Sequence, residues 1–201
     1  KPSYVMELDR ADLVIINGLE LEIGWMPTLL VQARNPSATL GSVGYLDVGT
    51  IVDRVLEVPV GNIDRSMGDI HPGGNPHYSH DPIRMLKVID VITERLSLLA
   101  PDHKSYFESN SVKMRTDLQK LIQSTQADFE ALPKASRRVV EYHKSWVYLF
   151  ETLGVEVVRR IEPKPGVPPT PGHVAKVVSD MKRENIRVVV QESYSPVIVS
   201  Q

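Results

Sequence analysis

The chain has 201 residues, of which 42% are hydrophobic and 24% charged, a composition typical of a globular protein with a substantial core. Its net charge of −2 argues against a nucleic-acid-binding surface, which would need a basic excess on one face. No run of eighteen apolar residues is present, so the sequence predicts no membrane span.

Two short apolar runs near the start are predicted to be strands of a parallel sheet. The first lies at residues 11–18 (ADLVIING) and the second at 44–49 (GYLDVG). Between them, residues 22–34 have helical spacing, and Pro27 is expected in or near the first turn of that helix. Residues 50–70 show little periodicity, which indicates a long irregular excursion.

Two helices are predicted in the middle of the chain. Asp81 and Pro82 suit the N-cap and the first position of a helix, and an apolar face follows them. Pro101 ends this pattern, and Asp102 is predicted to cap a second helix. Apolar residues then recur at three- and four-residue steps, so residues 102–132 are expected to form one unbroken helix of roughly 45 Å, long enough to connect two lobes.

Beyond Pro133, strand and helix patterns alternate. Strands are predicted at 137–143, 155–161 and 186–193, and helices at 144–154 and 173–185. This β-α-β-α-β order is the signature of a parallel sheet with right-handed crossovers.

Histidines are the candidate ligands, because the chain has no cysteine and a metal site would need histidine and carboxylate side chains. Residues 71–82 (HPGGNPHYSHDP) contain His71, His77 and His80 in a segment whose glycines and prolines exclude a helix or a regular strand. His77 lies just before a capped helix. His143 lies at the carboxyl end of a predicted parallel strand, where open α/β sheets place their ligands. These positions alone are compatible with a metal, a phosphate or no ligand.

The other histidines are expected to have structural roles. His103 is predicted to be solvated in the first turn of the long helix. His173 is predicted to cap a helix or anchor a loop, although it could approach a cleft. His71 and His80 are expected to be exposed loop residues.

Four segments together resemble the solute-binding proteins that supply zinc or manganese to ABC importers. They are ADLVIINGLELEIGW, GNPHYSHDP, VVEYHKSWVYLFETLG and EPKPGVPPTPGHVAKVVSDMK, and the similarity extends over nearly all of the chain. The resemblance implies an α/β protein of two Rossmann-like lobes joined by a long rigid helix, with a metal site in the cleft between the lobes. The domains expected from it are an N-terminal lobe at 1–100 that lacks its first strand, a linking helix at 101–133 and a C-terminal lobe at 134–201.

The resemblance also implies four metal ligands, two from each lobe. His77 matches the histidine of the family's NPHY motif, and His143 matches the histidine at the strand end. The family's first ligand lies upstream of Lys1, and its fourth, a carboxylate, lies beyond Gln201. The sequence is therefore expected to be a fragment, to lack flexible ends, or to use substitute ligands.

Three residues are candidate substitutes in such an incomplete site. Glu192 is the nearest carboxylate at a strand end, and His71 and His80 are accessory imidazoles. With only half of the four ligands present, the 201-residue chain is expected to bind zinc weakly. Its affinity is expected to fall as the pH drops through about 6.5, where protons compete for imidazole.

The function implied by the resemblance is capture of a divalent transition metal outside the cytoplasm and delivery to the membrane permease of an ABC importer. A mainly histidine ligand set favours zinc over manganese. We expect a monomer without catalytic activity, in the periplasm or attached to the outer face of a membrane. Two alternatives remain: a metal-dependent hydrolase, which would need an open coordination position beside a carboxylate base, and a truncated family member that has lost metal binding.

Overall fold

The computed structural model describes residues 1–61 and 68–195. The helices are α1 (Pro2–Asp9), α2 (Met26–Ala33), α3 (Pro82–Leu99), α4 (Lys104–Ala131), α5 (Val147–Leu153) and α6 (Pro171–Arg183). The strands are β1 (Val14–Ile16), β2 (Tyr45–Asp47), β3 (Arg138–Glu141), β4 (Glu156–Arg160) and β5 (Val189–Val190). β1 pairs with β2, and β3 lies between β4 and β5, with every pairing parallel. The protein is therefore α/β, as predicted.

The chain divides into two compact units. Unit 1 comprises Lys1–Val58 and His71–Leu121, and unit 2 comprises Pro59–Ile70 and Ile122–Gln201. The division falls inside α4, while the predicted domain boundaries at residues 100 and 133 stay a prediction. Over the described parts of both units, no helix combines the length and the apolar character needed to cross a membrane.

Unit 1 contains the first two predicted strands. Val14 of β1 and Leu46 of β2 are buried and belong to its core. The turn after β1 requires glycine, because Gly18 has a φ of +78° and a Cβ atom there would lie 2.0 Å from Oδ1 of Asp47. This close approach places the end of β1 against the end of β2.

The start of α3 agrees with prediction, whereas the start of α4 does not. The Asp81 side chain accepts a hydrogen bond from the N–H of Ile83, with Pro82 in the first turn. Asp102 was predicted to cap the long helix, and that prediction is wrong. Asp102 lies inside a 3₁₀ turn, Pro101–His103, that runs directly into α4. α4 is one continuous helix of 28 residues, which confirms that this segment is not split into two helices.

Unit 2 is built around β3, the central strand of its sheet. One buried apolar cluster of this unit contains Val140, Tyr142, Ile161, Val177 and Ile186. α5 begins at Val147 rather than 144, because a bend closed by a hydrogen bond from the N–H of Ser145 to the carbonyl of His143 precedes it. β5 is shorter than predicted, since only Val189–Val190 pairs regularly with β3.

Asp180 on α6 pairs with three cationic side chains in unit 2. Its carboxylate accepts hydrogen bonds from Nε of Arg159 at 2.9 Å and Nζ of Lys176 at 3.3 Å, and it forms an ion pair with Arg183 at 2.6 Å. The hydrogen bond from Arg159 is the largest cause that lowers the pKa of Asp180 to about 2, while burial acts in the opposite direction. α6 is thereby tied to β4 by charge as well as by apolar packing.

Acid unfolding tests this arrangement. Because the pKa of Asp180 lies below its ordinary value of 3.8, its charge stabilises the fold above about pH 4, and that contribution is lost as the pH falls towards about 2. We expect the free energy of unfolding of the wild type to fall more steeply across this window than that of Asp180→Asn. Urea unfolding at successive pH values measures the difference. Asp128→Asn, which changes an exposed aspartate of α4, should keep the wild-type slope, and equal slopes for all three proteins would contradict the expectation.

Candidate functional site

In unit 1, the NPHY loop before α3 is held by asparagine and tyrosine side chains. Oδ1 of Asn75 accepts a hydrogen bond from the N–H of His77 at 2.9 Å, and Nδ2 of Asn17 donates to the carbonyl of Pro76 at 2.8 Å. The hydroxyl of Tyr78 donates to the carbonyl of Asn17, and Tyr78 is 1% exposed. Asn17 directly follows β1, so these bonds fix the loop against the carboxyl end of a parallel strand.

Both segments that meet at this point are themselves constrained. The Glu22 carboxylate accepts hydrogen bonds from the N–H groups of Asn17 and Gly18, at 2.8 Å and 3.1 Å. In the loop, Gly74 has a φ of +101°, and a Cβ atom there would lie 2.5 Å from Cγ1 of Val55. The backbone that carries His77 is therefore set before any ligand binds.

The three histidines of this segment are more covered than predicted. Residues His77–His80 form a 3₁₀ turn, whereas no helical structure was expected there. His71, His77 and His80 are all half-buried, so the prediction that His71 and His80 are exposed is wrong. The rings of His77 and His80 meet edge to face with their centroids 6.1 Å apart. Tyr78, which lies between them in sequence, is buried.

In unit 2, His143 and Glu162 follow neighbouring parallel strands and meet at the same edge of the sheet. The N–H of Tyr142 donates to the carbonyl of Val190 at 2.8 Å, and the N–H of Glu162 donates to the carbonyl of Tyr142 at 3.0 Å, so pairing continues past the strands. Nδ1 of His143 lies 2.6 Å from Oε2 of Glu162. The structure thus places His143 at a strand end, as predicted, with a carboxylate beside it.

This contact determines which ring nitrogen of His143 can bind a ligand. A carboxylate can only accept a hydrogen bond, so Nδ1 of His143 carries the proton and the lone pair of the neutral ring lies on Nε2. Metal-binding histidines generally donate their other N–H to a carboxylate, a carbonyl or water in this way. The chemistry of the pair suits a metal ligand.

Glu192 is a buried carboxylate that follows β5, the other neighbour of β3. It is 6% exposed, and its Oε2 accepts a hydrogen bond from Oγ of Ser195 at 3.0 Å. Its Oε1 is buried without a hydrogen-bond partner among the described residues. Burial raises the pKa of Tyr142, and the charges of Glu162 and then Glu192 raise it further, so negative charge gathers at this edge of the sheet.

The last two histidines lie apart from these features. His103 is exposed and lies in the 3₁₀ turn just before α4, with the Phe107 ring nearby. His173 has the anchoring role that was predicted: its N–H donates to Oγ1 of Thr170, and its Nε2 lies 3.0 Å from the carbonyl oxygen of Arg160.

Sequence reasoning missed the residues that support the two candidate ligands. Asn17, Asn75 and Tyr78 lay inside recognised segments but had no assigned role, and the same is true of Glu162. The signal for Glu162 was available, because it follows β4 as His143 follows β3, and the carboxyl ends of parallel strands share one edge.

Across residues 1–61 and 68–195, no three His, Asp or Glu side chains form a group that could hold a metal ion. The assignment of His77 and His143 as metal ligands stays a prediction.

Comparison with known proteins yields one consistent set of similarities. The family model described as ZnuA, zinc-uptake complex component A, periplasmic, matches residues 1–201. The manganese-binding lipoprotein MntA of Halalkalibacterium halodurans is 24% identical over 192 residues, which are 96% of this chain and 58% of MntA. The zinc-binding lipoprotein AdcA of Streptococcus pneumoniae is 25% identical over 190 residues, which are 92% of this chain and 36% of AdcA.

A solved structure described as the crystal structure of ZnuA has the same fold. It superposes with a TM-score of 0.78 at 21% sequence identity, and the match covers 100% of this chain and 70% of that one. The chain thus spans less than two thirds of the two curated relatives and about two thirds of this structure.

Proposed function

We propose a function from one premise: the chain belongs to the ZnuA family of periplasmic zinc-uptake components, whose model matches all of its residues. The proposed function is capture of a divalent transition metal outside the cytoplasm and delivery of that metal to the membrane permease of an ABC importer. The observation that carries it is the hydrogen bond between His143 and Glu162 at a strand end, because this arrangement prepares an imidazole for a metal. The chain acts by binding and release, without catalysis, as a monomer.

His77 and His143 are the proposed ligands, one from each unit. Support for His77 comes from its loop, in which Asn17 and Asn75 bind the carbonyl and the N–H of the Pro76–His77 peptide bond. Support for His143 comes from the orientation that Glu162 imposes. Preorganisation of this kind lowers the ordering cost of binding, which increases the affinity that two ligands alone can provide.

Glu192 is the strongest of the three further candidates for the ion. Its buried Oε1, without a hydrogen-bond partner among the described residues, is an oxygen that a metal ion would satisfy. His71 and His80 are the weaker candidates, two half-buried imidazoles from the same segment as His77. A carboxylate would also balance part of the charge of a divalent ion.

Zinc is the proposed cargo, with manganese as the alternative. Imidazole is a good ligand for zinc, whereas manganese favours oxygen ligands and is the weakest binder in the Irving–Williams order. The two curated relatives are named for different metals, one for manganese and one for zinc, so similarity alone supports either.

Competitive titration tests this function. A metal-stripped chain without an affinity tag is titrated with zinc and with manganese by calorimetry. We expect one zinc ion per chain and an affinity for zinc at least about tenfold above that for manganese. Absence of saturable binding of either metal would contradict capture, and tighter binding of manganese would contradict the assignment of the cargo.

A further inference from the structure

We propose that Glu162 is the positioning residue of the metal site. It holds His143 in the tautomer and orientation that direct Nε2 of the ring at the ion. Glu162 acts through His143 and does not itself bind the metal, so this role rests on the proposed function of His143 as a ligand. The resemblance to the family gave Glu162 no role.

The contact itself is short and shielded. Nδ1 of His143 and Oε2 of Glu162 are 2.6 Å apart, at the short end of charge-assisted hydrogen bonds. The two side chains are 22% and 15% exposed, so water competes little for either atom. A short hydrogen bond in a partly desolvated place restricts rotation of the ring about χ1 and χ2.

The carboxylate is held by its own chain as well as by the histidine. The N–H of Gly166 donates to the same Oε2 at 3.1 Å, which closes the segment EPKPG on its first residue. Gly166 has a φ of +73°, a conformation that L side chains rarely adopt. The turn is closed by a hydrogen bond from the N–H of Val167 to the carbonyl of Lys164 at 3.0 Å.

The position of Glu162 is also fixed by the surrounding structure of unit 2. Its N–H donates to the carbonyl of Tyr142, one residue before His143, so the backbones of the pair are in register. The N–H of Asp69 donates to the carbonyl of Pro165 at 2.8 Å and supports the turn from its other side. The backbone and the carboxylate of Glu162 are thus both held by contacts that do not involve the His143 ring.

Two consequences for metal binding follow. The tautomer with the proton on Nδ1 makes Nε2 the ligand atom, and the hydrogen bond to the carboxylate holds that atom in one orientation. Loss of such outer contacts generally costs about 10- to 100-fold in metal affinity.

Two substitutions and one spectroscopic measurement test the role. In the metal-free protein, ¹⁵N NMR of the histidine side chains reports which nitrogen of His143 carries the proton. Glu162→Ala is expected to lose the pure Nδ1–H tautomer and to bind zinc about 10- to 100-fold more weakly. Glu162→Gln retains an acceptor oxygen opposite the Gly166 N–H, so it is expected to keep the tautomer and to lose up to about tenfold in affinity through the missing charge.

Glu130→Gln is the matched control, because it changes an exposed glutamate of α4 in the same unit. It should retain wild-type affinity and tautomer. If Glu162→Ala does not fold, as judged by thermal unfolding, the ¹⁵N measurement on the metal-free wild type decides the question, and a neutral His143 ring with its proton on Nε2 overturns the role.

His143→Ala separates failure of this role from failure of the proposed function. Unchanged zinc binding in His143→Ala would overturn the ligand assignment and the role of Glu162 with it. Loss of binding in His143→Ala together with wild-type affinity and tautomer in Glu162→Ala would overturn the positioning role alone.

Discussion

Replacing either His77 or His143 with alanine is expected to weaken zinc binding by roughly 100-fold. Four-ligand zinc sites reach apparent binding energies of about 10–16 kcal/mol, so one ligand contributes on the order of 2.5–4 kcal/mol, and each 1.4 kcal/mol is a factor of ten. Each variant removes one imidazole and leaves water in its place. Calorimetric titration of each purified variant against the wild type measures the loss.

His103→Ala is the control for these variants. His103 is exposed and lies outside both candidate regions, so its loss should leave zinc affinity within a factor of about two of the wild type, since a surface substitution away from a site has little effect. Far-UV circular dichroism of each variant checks that the fold is intact. An affinity within a few-fold of the wild type in folded His77→Ala or His143→Ala would show that the residue is not a ligand.

Replacing Asp81 with alanine is expected to destabilise unit 1 by about 3–5 kcal/mol. The Asp81 carboxylate is completely buried, caps the first turn of α3 through the N–H of Ile83 and pairs with Nη1 of Arg84 at 2.5 Å. Its removal eliminates the cap and leaves Arg84, which is only 12% exposed, without this partner. Urea unfolding at neutral pH measures the free-energy change.

Two further variants make the expectation specific. Asp81→Asn keeps an oxygen that can cap α3 but removes the charge, so it should fall between the wild type and Asp81→Ala. Asp53→Ala breaks the ion pair between Asp53 and Lys87, whose side chains are 79% and 48% exposed, respectively. It should lower the free energy of unfolding by less than about 1 kcal/mol. Equal losses for Asp81→Ala and Asp53→Ala would contradict the special role of the buried pair.

Local sequence patterns were sufficient to predict the elements that carry strong signals of their own. The Asp-Pro pair at residues 81 and 82 marked the start of α3, and the apolar runs marked β1 to β4. Alternation of strands and helices beyond Pro133 indicated a parallel sheet, and the sheet of unit 2 is parallel. These signals are readable because capping and apolar periodicity act within a few neighbouring residues.

Features that depend on tertiary contacts were not predicted. No element was predicted at Pro2–Asp9, where α1 lies without a buried residue. The apolar run at 186–193 suggested a long strand, but strand length depends on the partner, and only two residues of β5 pair. The 3₁₀ turn at Pro101–His103 displaced the expected cap at Asp102 for a local reason, because Pro101 begins the turn one residue earlier.

For the candidate site, the sequence indicated candidate ligands but not the residues that support them. His77 stood out in a loop before a capped helix and His143 at a strand end, and the resemblance matched both to ligand positions. The contact between Glu162 and His143 spans nineteen residues of sequence and depends on β4 lying beside β3, so it required the structure. The prediction that His71 and His80 are exposed failed because both are half-buried in the folded protein, which residue type alone does not reveal.

Crystals of the zinc-loaded chain, measured on both sides of the zinc absorption edge, test the central claim most directly. The anomalous difference locates the ion without reference to any assumed site. We predict one fully occupied zinc ion with a nitrogen of His77 and Nε2 of His143 each at about 2.0–2.1 Å. A zinc ion held by other residues, with either imidazole outside bonding distance, would contradict the assignment of His77 and His143 as the shared ligands.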